Sequence, residues 1–225
     1  MRFVRRSQNP NSTVAVLLLV LLLVIAGPTI LPRIIARIPG ADEGIPCAWL
    51  RQANDRAAHQ SLIGRAATDP ISLTVRTSAV PSSPDGELVI SITVSNDTLG
   101  AVPIYYNPNQ VRIGDDGFTS GLGIAINSNA PLPAGSAQGN AFIPESDIRV
   151  LGPRQRCVHT IRFPVAQLPD PSLATGTATV KAYYRNTSRG VTQSQDPLAT
   201  PIYSDQGLWV GIVESAPVIV PVASQ

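Results

Sequence analysis

Residues 87–95 have the sequence ELVISITVS, in which every second side chain is a large aliphatic one. Successive side chains of a β-strand point to opposite faces of the sheet, so Leu88, Ile90, Ile92 and Val94 share one face and Ser91 lies on the other. The stretch therefore predicts a strand that is buried on one face, with these four aliphatic residues in the core of the protein.

The same alternation recurs before and after this strand. Ile71–Thr77 has apolar residues at alternate positions, and Ala174–Arg185 alternates an inward set (Ala178, Val180, Ala182, Tyr184) with an outward set (Thr175, Thr177, Thr179, Lys181). Threonine on a solvated face is typical of strands. Further candidates, separated by clusters of turn residues, are Val102–Tyr106, Gln110–Ile113, Gly123–Asn127, Asp147–Leu151, Arg156–Phe163, Leu208–Val213 and Val218–Val222.

About ten short strands with no helical pattern between them predict an antiparallel β-sandwich over residues 70–225. The 21 prolines and 17 glycines of the chain suit the turns that such a fold needs.

The amino-terminal part of the chain is directed to a membrane. Val14–Leu31 contains no charged residue and is dominated by Leu and Val. A helix over this run would span roughly 27 Å, close to the hydrocarbon thickness of a bilayer. Apolar residues continue to Ile38, which favours an uncleaved anchor over residues 14–38. A signal peptide cut before Gly27 is the alternative, and either segment exports the rest of the chain.

The arginines set the orientation. Arg2, Arg5 and Arg6 precede the apolar run, whereas Arg33 and Arg37 follow it. The positive-inside rule therefore slightly favours a cytoplasmic segment 1–13 and a single-pass membrane protein whose carboxyl-terminal domain lies outside the cytoplasm.

Residues 39–69 form a predicted neck between the anchor and the sandwich. From Pro46 to Ala67 the chain is rich in Ala, Leu, Arg and Gln, which indicates two short helices or one bent helix. Its apolar face is expected to pack on its own domain or on lipid headgroups, and a separate partner protein is the alternative. The residues of that face are Trp49, Leu50, Ala53, Ala57, Leu62 and Ile63.

With this layout, the chain resembles bacterial envelope proteins that carry an immunoglobulin-like β-sandwich outside one amino-terminal membrane anchor. The resemblance lies in Leu88–Asp97, in the following Val102–Tyr106, in the turn Ile113–Gly117 and in the strand Arg156–Phe163. The Cys, Trp, Cys order of antibody domains is missing, because Cys47 precedes the sandwich and Trp209 follows Cys157. The resemblance implies a fold and transfers no activity.

Composition excludes one large class of partners. The chain has 17 Lys and Arg against 15 Asp and Glu, a net charge of +2, without a basic cluster interleaved with aromatic residues. A surface that follows a phosphate backbone needs a stronger positive charge, so nucleic acid is not an expected partner.

Few residues suit catalysis or metal binding. Cys157 and His159 lie two apart on one face of a predicted strand and could begin a metal site or serve an enzyme, but the sequence offers no His, Cys or Met downstream of them. The alternative, which we favour, is that this face points to the core. Gly114–Gly117 lacks the spacing of a calcium loop, and Gly121 and Gly123 are not followed by a phosphate-binding motif. We therefore expect no catalytic, cofactor or metal residue.

The two cysteines can be arranged in two ways. An exported chain favours a disulfide between Cys47 and Cys157, whereas the inward position of Cys157 suits a free, packed thiol. We expect free thiols, because a separate neck gives no reason for the two residues to be close.

The function expected from these features is binding or scaffolding of another envelope protein at the membrane, without catalysis. The alternatives are an exported metalloprotein or enzyme that uses Cys157 and His159, and a peptidase inhibitor that acts through the long loop at residues 127–140.

The predicted topology can be tested with protease added to intact cells, which should remove the carboxyl-terminal domain. Protection of the domain until the membrane is opened would show that the orientation is wrong. A mature protein that begins at Gly27 would disprove the anchor and leave export intact.

Overall fold

The computed structural model of the protein describes residues 44–52, 70–110, 112–113, 120–128, 142–192 and 205–223. These residues belong to one compact unit that begins at Glu43. The unit is mainly β with antiparallel sheets, which confirms this coarser part of the fold class predicted from the alternation. The predicted segments 1–13 and 14–38 lie outside the described residues, and within the described ones no helix is long and apolar enough to cross a membrane.

The described part of the chain contains twelve strands, most of them short. In chain order they are β1 (Ile45–Pro46), β2 (Arg51–Gln52), β3 (Ile71–Thr77), β4 (Glu87–Asn96), β5 (Val102–Tyr105), β6 (Arg112–Ile113), β7 (Gly121–Ile126), β8 (Ile148–Leu151), β9 (Arg156–Pro164), β10 (Thr179–Asn186), β11 (Gly211–Glu214) and β12 (Val218–Ile219). The described helical segments are α1 (Pro171–Ala174) and four single 3-10 turns at Cys47–Trp49, Pro108–Gln110, Glu145–Asp147 and Val165–Gln167.

The strands form three sheets. The first has the order β1-β9-β4-β3, and the second has the order β11-β10-β7-β6 with β12 also paired to β10. The third has the order β2-β8-β5. The β1–β9 and β6–β7 pairs are parallel and the other pairs are antiparallel. In the first sheet β9 lies between β4 and the very short β1, a position that shapes the candidate site.

The predicted core residues are buried. Leu88, Ile90, Ile92 and Val94 lie in one hydrophobic cluster with Val180, Ala182 and Tyr184 of β10, as the alternation predicts. Because β4 belongs to the first sheet and β10 to the second, these two sheets share one core.

A buried asparagine fixes one end of this core. Asn96, the last residue of β4, donates from Nδ2 to the carbonyl oxygens of Gly100 (2.6 Å), Leu151 (3.2 Å) and Gly152 (2.8 Å). Its Oδ1 accepts from the Thr98 amide at 2.9 Å. One side chain thus joins the β4–β5 connection to the end of β8.

The predicted strand at Ala174–Arg185 begins later than expected, at Thr179. Asp170 caps the helical turn α1 by accepting from the Ser172 amide at 2.8 Å, and Gly176 then takes a positive φ of 69°. Local capping therefore overrides the alternation at its amino-terminal end.

Lys181 is buried, which contradicts the expectation that it lies on a solvated face of this strand. It is only 7% exposed, and its Nζ lies 2.7 Å from Oε2 of Glu214 on β11. On the same face, Tyr183 is also buried and packs where Gly123 of the paired β7 lacks a side chain, since a Cβ on that glycine would lie 2.3 Å from the tyrosine ring. Both faces of β10 are buried, so alternation alone places Lys181 wrongly.

The amino-terminal part of the predicted helical neck is also different. Residues 45–52 form β1, one 3-10 turn and β2, and both strands pair with the β body, whereas residues 53–69 lie outside the described residues. Leu50 is buried and Trp49 is exposed. Where it is described, the neck is thus part of the domain and not a separate helix.

The core assignment can be tested with two neighbouring residues of β4. Ile92 is fully buried and Ser91 faces away from the core. Ile92→Ala should lower the free energy of unfolding by about 2–5 kcal/mol, because it leaves a cavity. Ser91→Ala is the matched control and should change it little. Equal midpoints in urea unfolding would reverse the assignment of the two faces.

Candidate functional site

Cys47 and Cys157 form a disulfide, which corrects the expectation of free thiols. Ile45 of β1 pairs with Cys157 of β9, and the Cα atoms of the two cysteines are 4.7 Å apart. The sequence predicts Cys47 in a separate neck and therefore gives no reason to expect it beside β9. The bond occupies the sulfur of Cys157, which a metal site or a nucleophile would need as a thiolate.

His159 lies two residues further along β9 and is hydrogen-bonded to a tyrosine. Its Nδ1 is 2.7 Å from Oη of Tyr106, and the two rings meet edge to face with their centroids 5.6 Å apart. Tyr106 directly follows β5, whose last residue Tyr105 faces a different part of the core. Sequence spacing gave no sign of this pair, since 53 residues separate its members.

Burial sets the charge of both groups. It raises the pKa of Tyr106 to about 12, although the nearby Arg149 guanidinium lowers it in part. It also lowers the pKa of His159 from its ordinary value of 6.5. Both side chains are therefore neutral at pH 7, and the tautomer of the imidazole decides which of them donates. The pair is a polar, uncharged contact in the wall of a cleft.

The cleft has a volume of about 480 Å³ and lies beside the disulfide. Tyr106, His159 and the segment around β1 all line it. The lining residues that matter here are Gly44, Cys47, Ala48, Tyr106, His159 and Thr160. A cleft of this size with mostly apolar walls and a few polar groups suits a side chain or a small organic group.

Next to this cleft, the edge of the first sheet is open. β1 pairs with β9 only at Cys157 and Val158, and among the described strands none continues along residues 159–164 on that side. Thr160 and Arg162 are exposed there, and Arg162 forms a 3.3 Å ion pair with Glu87. An exposed ion pair of this kind contributes little to stability, but a charge on an edge strand discourages unspecific pairing.

The buried aromatic residues of the described part of the chain, other than Tyr106, do not line this cleft. Tyr105, Tyr183, Tyr184 and Trp209 are buried, so packing accounts for these aromatic residues. His59, the turn at residues 114–117 and most of the loop 127–140 lie outside the described residues. Within the described part of the chain, no group of three or more His, Cys, Asp or Glu could hold a metal ion.

No protein family, no curated protein and no solved structure matches this chain.

The disulfide gives a direct test. Alkylation without reduction, followed by mass analysis, should yield a peptide that joins Cys47 to Cys157. The double variant Cys47→Ala/Cys157→Ala should lose about 2–5 kcal/mol of stability, the usual cost of removing a native disulfide. Two alkylated cysteines in the native protein would contradict the structure.

The buried histidine predicts a pH dependence. Because the pKa of His159 is lower in the folded than in the unfolded chain, the unfolded chain binds the proton first as the pH falls below 6.5. The free energy of unfolding should therefore be unaffected by this group above pH 6.5 and should fall below it, by at most about 1.4 kcal/mol per pH unit.

Urea unfolding at pH 7.5 and pH 5.5 measures this effect. The wild-type protein should lose more stability between the two pH values than His159→Gln, which cannot take up a proton there. His59 is present in both proteins, so its contribution cancels in the comparison. An equal loss in both would show that His159 titrates normally in the folded state.

Proposed function

We propose that this protein is an exported, membrane-anchored domain that binds another envelope protein and has no catalytic activity. In this proposal residues 14–38 hold it in the cell membrane, residues 1–13 are cytoplasmic, and an immunoglobulin-like β-sandwich lies outside the cytoplasm.

Export is supported by two independent features. The apolar run Val14–Leu31, with arginines before it, is long enough to cross a bilayer. The Cys47–Cys157 disulfide is the second, since such bonds persist in oxidising compartments and are rare in the cytosol. The core that the two larger sheets share supports the proposed sandwich arrangement. The parallel β6–β7 pair departs from a purely antiparallel sandwich.

The observation that carries the binding function is the open edge of β9 beside the cleft. An extended peptide can add to such an edge through main-chain hydrogen bonds, while a neighbouring pocket selects one of its side chains. Here the edge at residues 159–164 supplies the main-chain groups, and the cleft lined by Tyr106 and His159 supplies the pocket. The partner would thus contribute an extended segment with one side chain that enters the cleft.

Binding is favoured over catalysis by how the reactive groups are used. The sulfur of Cys157 is bonded to Cys47, and Nδ1 of His159 is hydrogen-bonded to Tyr106. The thiolate that an enzyme or metalloprotein would need at this place is therefore used in a structural bond. The inhibitor alternative depends on a loop outside the described residues and gains no support.

The test is site-specific photo-crosslinking in native membranes. A photoreactive residue at Thr160, on the open edge, should capture a discrete protein. The same residue at Thr74 is the matched control, because Thr74 is also an exposed threonine but lies on β3, at the opposite edge of the same sheet. A product from both positions, or from neither, would contradict binding at the β9 edge.

A further inference from the structure

The two most exposed large apolar side chains of the described residues belong to the same end of the domain. Leu99 is 80% exposed and Trp49 is 75% exposed. Leu99 lies in the β4–β5 connection, which is fastened to the β8–β9 turn because the Arg154 amide donates to the Thr98 carbonyl at 3.1 Å. The Asn96 side chain joins the same two turns through Gly152.

Trp49 lies at this end because its neighbours are held there. Cys47 is bonded to Cys157 at the start of β9, and Arg51 pairs with Val150 near the end of β8. Ile45, 40% exposed, pairs with Cys157 at the beginning of β9. Three exposed apolar side chains therefore surround the point at which the chain enters the domain.

The outward position of Trp49 is fixed by its neighbours. Cys47, two residues before it, is buried and bonded to Cys157, and Leu50, directly after it, is buried in the core. A single 3-10 turn between these two fixed residues leaves Trp49 on the outside. Exposed apolar side chains that gather at one place are typical of a surface that contacts a membrane or another molecule.

Among the described residues at this end, positive charges outnumber negative ones. The described segments 44–52, 96–101 and 151–157 contain Arg51, Arg154 and Arg156, all exposed, and one acidic residue, Asp97, which leaves two net positive charges. Tryptophan is enriched at the level of lipid headgroups, and arginines near a membrane are attracted to anionic lipids.

The length of the connecting chain keeps this end near the membrane. Six residues, 39–44, separate Ile38, the last residue of the predicted anchor, from Ile45. Even fully extended, the chain from Ile38 to Ile45 spans at most about 25 Å. The end that carries Trp49 therefore stays within that distance of the last residue of the predicted anchor.

We infer that Ile45, Trp49 and Leu99, with Arg154 and Arg156, form a lipid-docking surface that rests on the headgroup layer of the membrane in which the chain is anchored. This inference rests on the proposed anchoring, and it adds that the domain lies against the bilayer and does not swing free on its connection.

Tryptophan fluorescence of the full chain in vesicles tests the inference. The chain has only two tryptophans, and Trp209 is buried against Tyr184, so the difference between the wild-type protein and Trp49→Phe reports on Trp49. In vesicles of phosphatidylcholine and phosphatidylglycerol, lipids brominated on their acyl chains should quench the Trp49 signal, and aqueous iodide should not. In phosphatidylcholine alone the quenching should weaken, because the arginines lose their anionic partners.

Ile219 provides the matched control. It is 66% exposed on β12, three residues before Val222, which is bridged to Val80 beyond the end of β3. Asn96 and the connection that carries Leu99 lie at the beginning of β3. Ile219 is therefore near the other end of β3 from the proposed docking surface. In the variant Trp49→Phe/Ile219→Trp, the new tryptophan should be quenched by iodide and not by brominated lipid.

Flotation of the same vesicles separates the possible failures. In one contrary result the protein floats with the vesicles while iodide quenches Trp49, and in another it floats while a protein surface shields Trp49 from both quenchers. Either result would disprove the docking and leave the anchor intact. Protein that does not float overturns the anchoring and the docking together.

Discussion

The bond between Cys47 and Cys157 holds the entering chain in the sheet, and the candidate site depends on it. β1 pairs with β9 at only two residues, and a strand as short as β1 is not stable by itself. The disulfide closes a loop of 110 residues, and in the chain-entropy model this stabilises the folded state by about 4–5 kcal/mol. It also fixes one wall of the cleft against His159 and sets the direction of Trp49. Reduction would therefore affect the cleft and the docking surface together.

Away from the disulfide, the sheets are joined by hydrogen bonds of buried polar groups. Asn186 ends β10 as Asn96 ends β4, and its Nδ2 donates to the carbonyl oxygens of Ser188 (2.8 Å) and Trp209 (2.7 Å). Trp209 in turn donates its amide to the Pro103 carbonyl on β5 at 2.9 Å. Tyr184, whose pKa is raised by burial, accepts from the Tyr105 amide at 3.0 Å. These bonds connect the second sheet to the third. Unpaired polar groups at such depth would cost stability, so the network also restricts how the sheets can pack.

The fold was predictable from the sequence where the information is local. Alternation in a strand is local, so Leu88, Ile90 and Ile92 were assigned to the core, and most strand positions followed from the same pattern and from the turn residues between them. The start of β10 and the burial of Lys181 were not predictable in this way. The first depends on the Asp170 cap and the second on Glu214, which a distant strand supplies.

The candidate site was less predictable, because each of its contacts joins residues that are far apart in sequence. Residues 45–52 have a composition that favours helix, yet pairing with β9 and β8 determines their structure. A disulfide needs a short distance between two Cα atoms, and spacing in a sequence does not supply a distance. The Tyr106–His159 contact is hidden for the same reason. The sequence did predict that Cys157 and His159 share the inward face of their strand. The disulfide and one wall of the cleft lie on that face.

The order of features along β9 explains how lipid docking and partner binding can coexist on one small domain. Arg156 lies at the docking end, Cys157 carries the bond, His159 lines the cleft, and the open edge continues through Thr160 to Pro164. At about 3.3 Å per residue, Thr160 lies roughly 13 Å along the strand from Arg156. In the proposed docking, the apolar side chains would enter the headgroup region by about 5–10 Å, which is less than the distance from Arg156 to Thr160 along the strand. The proposed partner strand would therefore add to a part of β9 that lies beyond the proposed docking surface.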